Sequence, residues 1–208
     1  MFSLNEIYST LKKAALGSGF DVGRAEVIAD AGCWLIKHGQ DGAGVVLKAI
    51  EAGPVKIAFD ARSNRFEDAH LASCGLAAID LLLAGKSSKI LFSHFDHVKM
   101  LVGFAGRACD RFEFDFVVTQ NRLPTLEVSV DGVTKAATSA HDDNIENSIR
   151  IVERVQNRVE NPLNKQASAF NIDQTTWNSL LVLAHKTYVP ASEASRKSGA
   201  GAGLVDND

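Results

Sequence analysis

Proline, cysteine, methionine and tyrosine are scarce in this chain: four, three, two and two among 208 residues. The cysteines, Cys33, Cys74 and Cys109, are odd in number and far apart. That excludes a disulfide framework and predicts reduced thiols in a cytoplasmic compartment. No apolar run approaches the roughly 18 residues of a membrane span, so no membrane partner is expected. The opening MFSLNEIYSTLKKAALG carries Glu6 early and lacks a long apolar core, which predicts no secretory signal. An excess of basic residues is missing too. Lys and Arg total 22 against 25 Asp and Glu, for a net charge of -3, and no basic stripe stands out. Nucleic acid is therefore not an expected partner. Repeats and linker-like stretches are absent, which predicts one domain over residues 1–208.

What is present suits a globular protein: 46% hydrophobic and 23% charged residues. The first fifty residues read as helices. Ser3 and Glu6 make a capping box, Leu4, Ile7, Leu11, Ala14 and Ala15 share one face, and Gly17 stops the run. Asp21 is placed to cap a second helix with Ala25, Ile28, Ala29, Gly32, Leu35 and Ile36 on one face. A third holds Val45, Val46, Ala49 and Ile50 and ends at Gly53-Pro54. The period then changes. Residues 112–116 alternate strictly, as do residues 126–130, and Asp131-Gly132 reads as a two-residue hairpin turn before a returning strand. Residues 89–92 and, less regularly, 55–59 read as further strands. Residues 147–159 fit either a strand or a helix face, and the alternation of β-branched residues with charge favours a strand at 148–153. Leu76, Ile79, Leu82 and Leu83 mark one helix among them. Asp173 is placed to cap a last helix with Trp177, Leu180, Leu181 and Ala184 inside. The expected class is α+β: an N-terminal helical layer over 1–53 and a C-terminal helix packed on a mainly antiparallel β-sheet. The sheet would occupy 55–155 with one inserted helix, and 173–208 would hold the last helix and a Gly-Ala-rich segment.

The candidate chemistry is concentrated at that end. In TYVPASEASRKSGAGAGLVDND, Tyr188, Ser192 and Ser195 supply hydroxyls and Arg196 supplies a planar cationic fork. Gly199, Gly201 and Gly203 let successive backbone N–H groups approach an anion. Together they describe a binding segment for a small anionic ligand; a frayed terminus is the competing reading. Cys74 follows His70 by four residues at a helix start, a position that can activate a thiol. Asp80 interrupts the apolar run 76–83, either as a buried general base or as the wet face of its helix. These two are the candidate catalytic residues. His94 and His97 are spaced i, i+3, but no Cys or Glu follows at a zinc spacing, so no metal is expected. Nothing points to a cofactor. Trp34, Trp177, Cys33 and Cys109 read as core.

The closing string, the opening MFSLNEI and the stretch GRAEVIADAGCWL together resemble a family of bacterial proteins known as a domain of unknown function. The resemblance carries no activity with it. It implies that the ending, TYVPASEASR-x-x-GAGAG-x-x-DND, belongs to the family pattern. The spacing of Gly19, Ala25, Ala29-Asp30, Gly39, Gly44 and Gly53 also resembles the start of the non-Rossmann malate/L-lactate dehydrogenases. There, Gly42-Ala43-Gly44 stands where that family carries Ser-His-Gly, so its chemistry is not expected here. Two function classes follow: an enzyme acting on a small anionic metabolite, or a non-catalytic binding or assembly protein. In either class a homodimer is the default assembly. If the closing string is a packed binding segment, trypsin cuts after Arg196 and Lys197 only as fast as the whole chain unfolds. Intact-mass analysis showing immediate loss of the last residues would identify a tail.

Overall fold

The computed structural model describes residues 1–94, 96–120, 124–135, 146–154 and 169–188. Helix α1 (Leu4–Gly17) begins where Ser3 Oγ accepts the Glu6 N–H at 3.2 Å. Helix α2 (Val22–Lys37) begins where Asp21 Oδ1 accepts the Arg24 N–H at 2.9 Å. Helix α3 (Gly42–Ile50) has the same device, Asp41 Oδ1 accepting the Gly44 N–H at 2.9 Å. Helix α6 (Gln174–His185) is capped by Asp173, which accepts the Thr176 N–H at 2.9 Å. That bond holds the Asp173 carboxyl below the ordinary carboxylate range. Each cap contributes about 1 kcal/mol by satisfying a donor that the helix itself cannot.

The strands are β1 (Ala58–Asp60), β2 (Arg65–Glu67), β3 (Lys89–Phe92), β4 (Phe114–Thr119), β5 (Leu126–Ser129), β6 (Gly132–Lys135) and β7 (Ser148–Glu153). Helix α4 (Leu71–Leu83) joins β2 to β3, and α5 (Val98–Cys109) joins β3 to β4. The sheet order is β1-β2-β3-β7-β4-β5-β6. Only β2 and β3 are neighbours in parallel; the other pairs are antiparallel. Strand β7 lies between β3 and β4 and opposes both, so β2, β3 and β4 all run one way. Parallel strands need a long crossover, and α4 and α5 are those crossovers. Both step in the same direction along the sheet, so a common handedness puts both helices on one face.

That face is apolar. Ile90 and Val118 flank Ile149 in register, Phe116 pairs with Val128, and all five are fully buried. The opposite face carries Lys89 beside Arg150, both exposed. Over α4 and α5 lies a further layer made of α1, α2, α3 and α6. The mainly antiparallel α+β class expected from the sequence is therefore the one observed.

Several local expectations shift. Two helices, not one, interrupt the sheet, because α5 is buried on nearly all sides and contains Gly103 and Gly106. Glycine at those two positions lowers the helix propensity of the segment. The alternation at 112–116 does not start a strand at Phe112, which is 47% exposed in the turn after α5; β4 begins at Phe114. Arg154 holds that turn: its Nη2 donates to the carbonyls of Cys109 at 2.8 Å and of Phe112 and Phe114 at 3.1 Å. Strand β1 begins at Ala58 rather than at 55, and β2 was not anticipated. The hairpin loop is Val130-Asp131, one residue earlier than read, since Gly132 already pairs with Ser129.

Close packing explains α5's glycines. A Cβ at Gly106 would collide with the Trp34 indole of α2, and one at Gly103 would sit 3.0 Å from the Ala31 carbonyl oxygen. Gly106→Ala is expected to cost about 1–3 kcal/mol through overpacking, read as a lower denaturation midpoint with an unchanged m-value.

Candidate functional site

Where β3 ends, the starts of α3, α4 and α5 come together. Helix α4 has His70 as N-cap, with no side-chain capping bond of its own. Its cap comes from outside: Asp96 Oδ1 accepts the Leu71 N–H at 2.9 Å and the His97 N–H at 2.5 Å. His70 Nδ1 lies 3.0 Å from Ser73 Oγ, and Nε2 lies 3.7 Å from Asp96 Oδ2. Ser73 Oγ also accepts the Val55 N–H at 3.1 Å. An Asp–His–Ser set of this kind has the residue types of a nucleophilic triad. Its surroundings do not. Ser73 is 4% exposed, and the cavity beside it measures about 10 Å³, room for a single water. No acyl group reaches that hydroxyl. The set is a polar knot that ties the strand-entry loop, α4 and the start of α5 to one another.

Cys74 lies just beyond the knot and is 2% exposed. Burial, and after it the Asp96 carboxylate, push its thiol up to about 12. Burial does the same to Cys33 and Cys109, each also to about 12. Helix-start activation is defeated here first by burial and then by the Asp96 carboxylate, both of which disfavour a thiolate. Asp80 projects from the exposed side of α4. Partial desolvation raises its carboxyl, and Arg107 opposes the rise. Cys74 and Asp80 share no site with each other.

Tyr188 is 55% exposed just past α6. Its hydroxyl accepts from Lys13 Nζ at 3.1 Å, and the same ammonium lies 5.3 Å from its ring centre. Ser192, Ser195, Arg196, Gly199, Gly201 and Gly203 lie outside the described residues, as does His141. Among the described residues, no three His, Cys, Asp or Glu side chains gather as a metal would require. No described helix is long and apolar enough to cross a membrane.

Among the described residues there are two larger cavities to consider. The first, about 210 Å³, lies among α1, α2 and α5 and is lined by Tyr8, Asp30, Lys37, Arg107, Asp110 and Arg111, among others. Its arginines are committed: Arg107 Nε donates to Asp30 at 2.8 Å, and Arg111 lies 3.5 Å from the same carboxylate. Asp30 and Glu26, after burial, also raise the Tyr8 phenol. The second, about 240 Å³, opens between the starts of α3 and α5. It is lined by Asp41, Gly44, Val45 and Lys48 from one helix and His97, Val98 and Lys99 from the other. Asp41 is engaged in capping α3. Lys48, Lys99 and the His97 ring have no hydrogen bond or ion pair among the described residues. His97, the N-cap residue of α5, makes no side-chain capping bond. Lys48 and Lys99 stand 51 positions apart in sequence, and no spacing rule joins them.

The molecule is thus an α+β protein with a cavity lined by Lys48 and Lys99 between the starts of α3 and α5. Residues 2–74 match the model of a family described as a protein of unknown function (DUF3726). The match takes in the opening and the GRAEVIADAGCWL stretch but not the closing string. No curated protein and no solved structure matches the chain.

The three thiols are expected to resist iodoacetamide near neutral pH in the native chain and to react fully in guanidinium. A fast-reacting native thiol, located by peptide mass, would contradict the burial of Cys74.

Proposed function

We propose that this protein binds a small anionic molecule in the cavity between α3 and α5, through Lys48 and Lys99. The observation that carries this reading is that two unpaired lysines from different helices line one cavity. Against them stands a single carboxylate, Asp41, already engaged with the Gly44 N–H. The volume, about 240 Å³, is below the roughly 300–1,000 Å³ of drug-sized sites and suits a compact ligand. His97 adds a donor that becomes a third cation when protonated. The other large cavity is the weaker candidate, because its guanidinium groups are already neutralised by Asp30.

In this reading the sequence's small-anion expectation is kept and its location moves. Arg196 and its neighbours become a possible supplement to the site rather than its centre, and a homodimer remains the default assembly.

Inorganic phosphate, small phosphomonoesters and small dicarboxylates should raise the melting temperature of the intact chain, less so at high salt. Lys48→Ala and Lys99→Ala should each weaken the best ligand by about tenfold, the size of one charge-assisted hydrogen bond. Arg196→Ala, run beside them, reports whether the closing string contributes. Unchanged affinity in the Lys48→Ala/Lys99→Ala double variant would remove this site.

A further inference from the structure

Helix α2 meets the β5–β6 hairpin through one imidazole. His38 is the C-cap residue of α2. Its Nδ1 lies 2.8 Å from the carbonyl oxygen of Trp34, and its Nε2 lies 3.2 Å from the carbonyl oxygen of Val130. Both partners are carbonyls, which accept and never donate. A neutral imidazole carries one N–H. It can satisfy one carbonyl and must then turn a nitrogen lone pair on the other. The imidazolium carries two N–H groups and satisfies both.

The ring is not free to turn away from this choice. It lies against the Trp34 indole, with centroids 4.0 Å apart. On the hairpin side, Gly132 leaves just enough room; a Cβ there would come within 3.2 Å of His38 Cδ2. The charged groups around the ring come from three elements. Lys37 precedes it on α2, and Asp131 lies in the hairpin loop. At the end of α5, Asp110 accepts the Trp34 indole N–H at 3.3 Å, with Arg111 beside it.

We infer that His38 is a proton-operated latch between α2 and the β5–β6 hairpin. With two ring protons it bonds both carbonyls. With one, it keeps the shorter bond to Trp34 within its own helix and releases Val130. The hairpin is the end of the sheet, with β6 paired only to β5 among the described strands. Loss of the Val130 bond therefore loosens an edge, not the centre.

The test reads the ring and the hairpin separately in the intact chain. Long-range proton–nitrogen NMR correlations follow the two His38 nitrogens across roughly pH 5 to 8, the range in which imidazoles titrate. Amide exchange protection of residues 126–135, corrected for the intrinsic pH dependence of exchange, follows the hairpin. Protection should fall about tenfold as the ring loses its second proton, the size of one charge-assisted bond. In His38→Gln, whose amide donates independently of pH, that step should vanish. Circular dichroism and the melting temperature establish that the variant is folded; if it is not, the unaltered chain decides alone, because ring titration and protection are both read there. A ring that titrates while hairpin protection stays constant overturns the latch, as does a His38→Gln chain that keeps the same pH step.

Discussion

The close approach of α2 to α5 is the constraint on which the rest of the molecule depends. Topology creates it. Because β7 enters between β3 and β4, the crossover α5 must pass over the middle of the sheet and is covered by it. Its other side has to be covered as well, and α2 does this with Ala31 and Trp34 set directly against Gly103 and Gly106. Side chains at those two glycines would push the upper helices away from the sheet. Large core residues such as Trp34, Leu35 and Leu101 are at most 2% exposed because that separation never opens. Interiors at crystal-like density transmit such a displacement rather than absorb it.

The same economy of small residues sets the geometry of the cationic cavity. Gly42, the first residue of α3, lies where a Cβ would collide with the Gly32 carbonyl of α2. Gly32 itself would meet Leu11 and Val46, each at 2.7 Å. So α3 starts hard against α2, and α2 is hard against α5. The starts of α3 and α5 are left side by side with Lys48 and Lys99 projecting into the space between. Electrostatics then separates this space from its neighbour. Arg107, Arg111 and Arg154 each have a carboxylate within reach, Asp30 for the first two and Asp115 for the third. Arg154 Nη2 also bonds three carbonyls, at the end of α5 and in the turn into β4, which is a structural assignment.

Local signals were the legible ones. Ser3, Asp21 and Asp173 each announced a helix start, and each accepts the N–H three residues on. The β-branched alternation in Ser148–Glu153 announced a strand, and β7 has those limits. What sequence could not announce was where that strand would go. Its insertion between β3 and β4 is a nonlocal fact, and it is what buries α5. The site was illegible for the same reason. Lys48 and Lys99 are unremarkable exposed lysines until α3 and α5 are placed together, whereas Cys74 looked activated only while its burial, and after that Asp96 22 positions later, was out of view.

The family match has a boundary that the fold does not share. It ends at Cys74, inside α4 and before α5. A unit cut there would expose the α2 surface around Ala31 and Trp34, since the glycines that receive it lie at 103 and 106. Residues 2–74 are therefore a region of similarity and not a self-sufficient packing unit. The cavity is divided by the same line: Asp41, Gly44, Val45 and Lys48 fall inside the match, His97, Val98 and Lys99 outside it. The matched segment of this chain, taken alone, holds Lys48 and the start of α3 without Lys99 opposite. One cation on an exposed helix holds an anion weakly in water; two from different helices, fixed by the glycine contacts beneath them, act together. In this chain the lysine inside the match faces its counterpart only because α5 supplies Lys99.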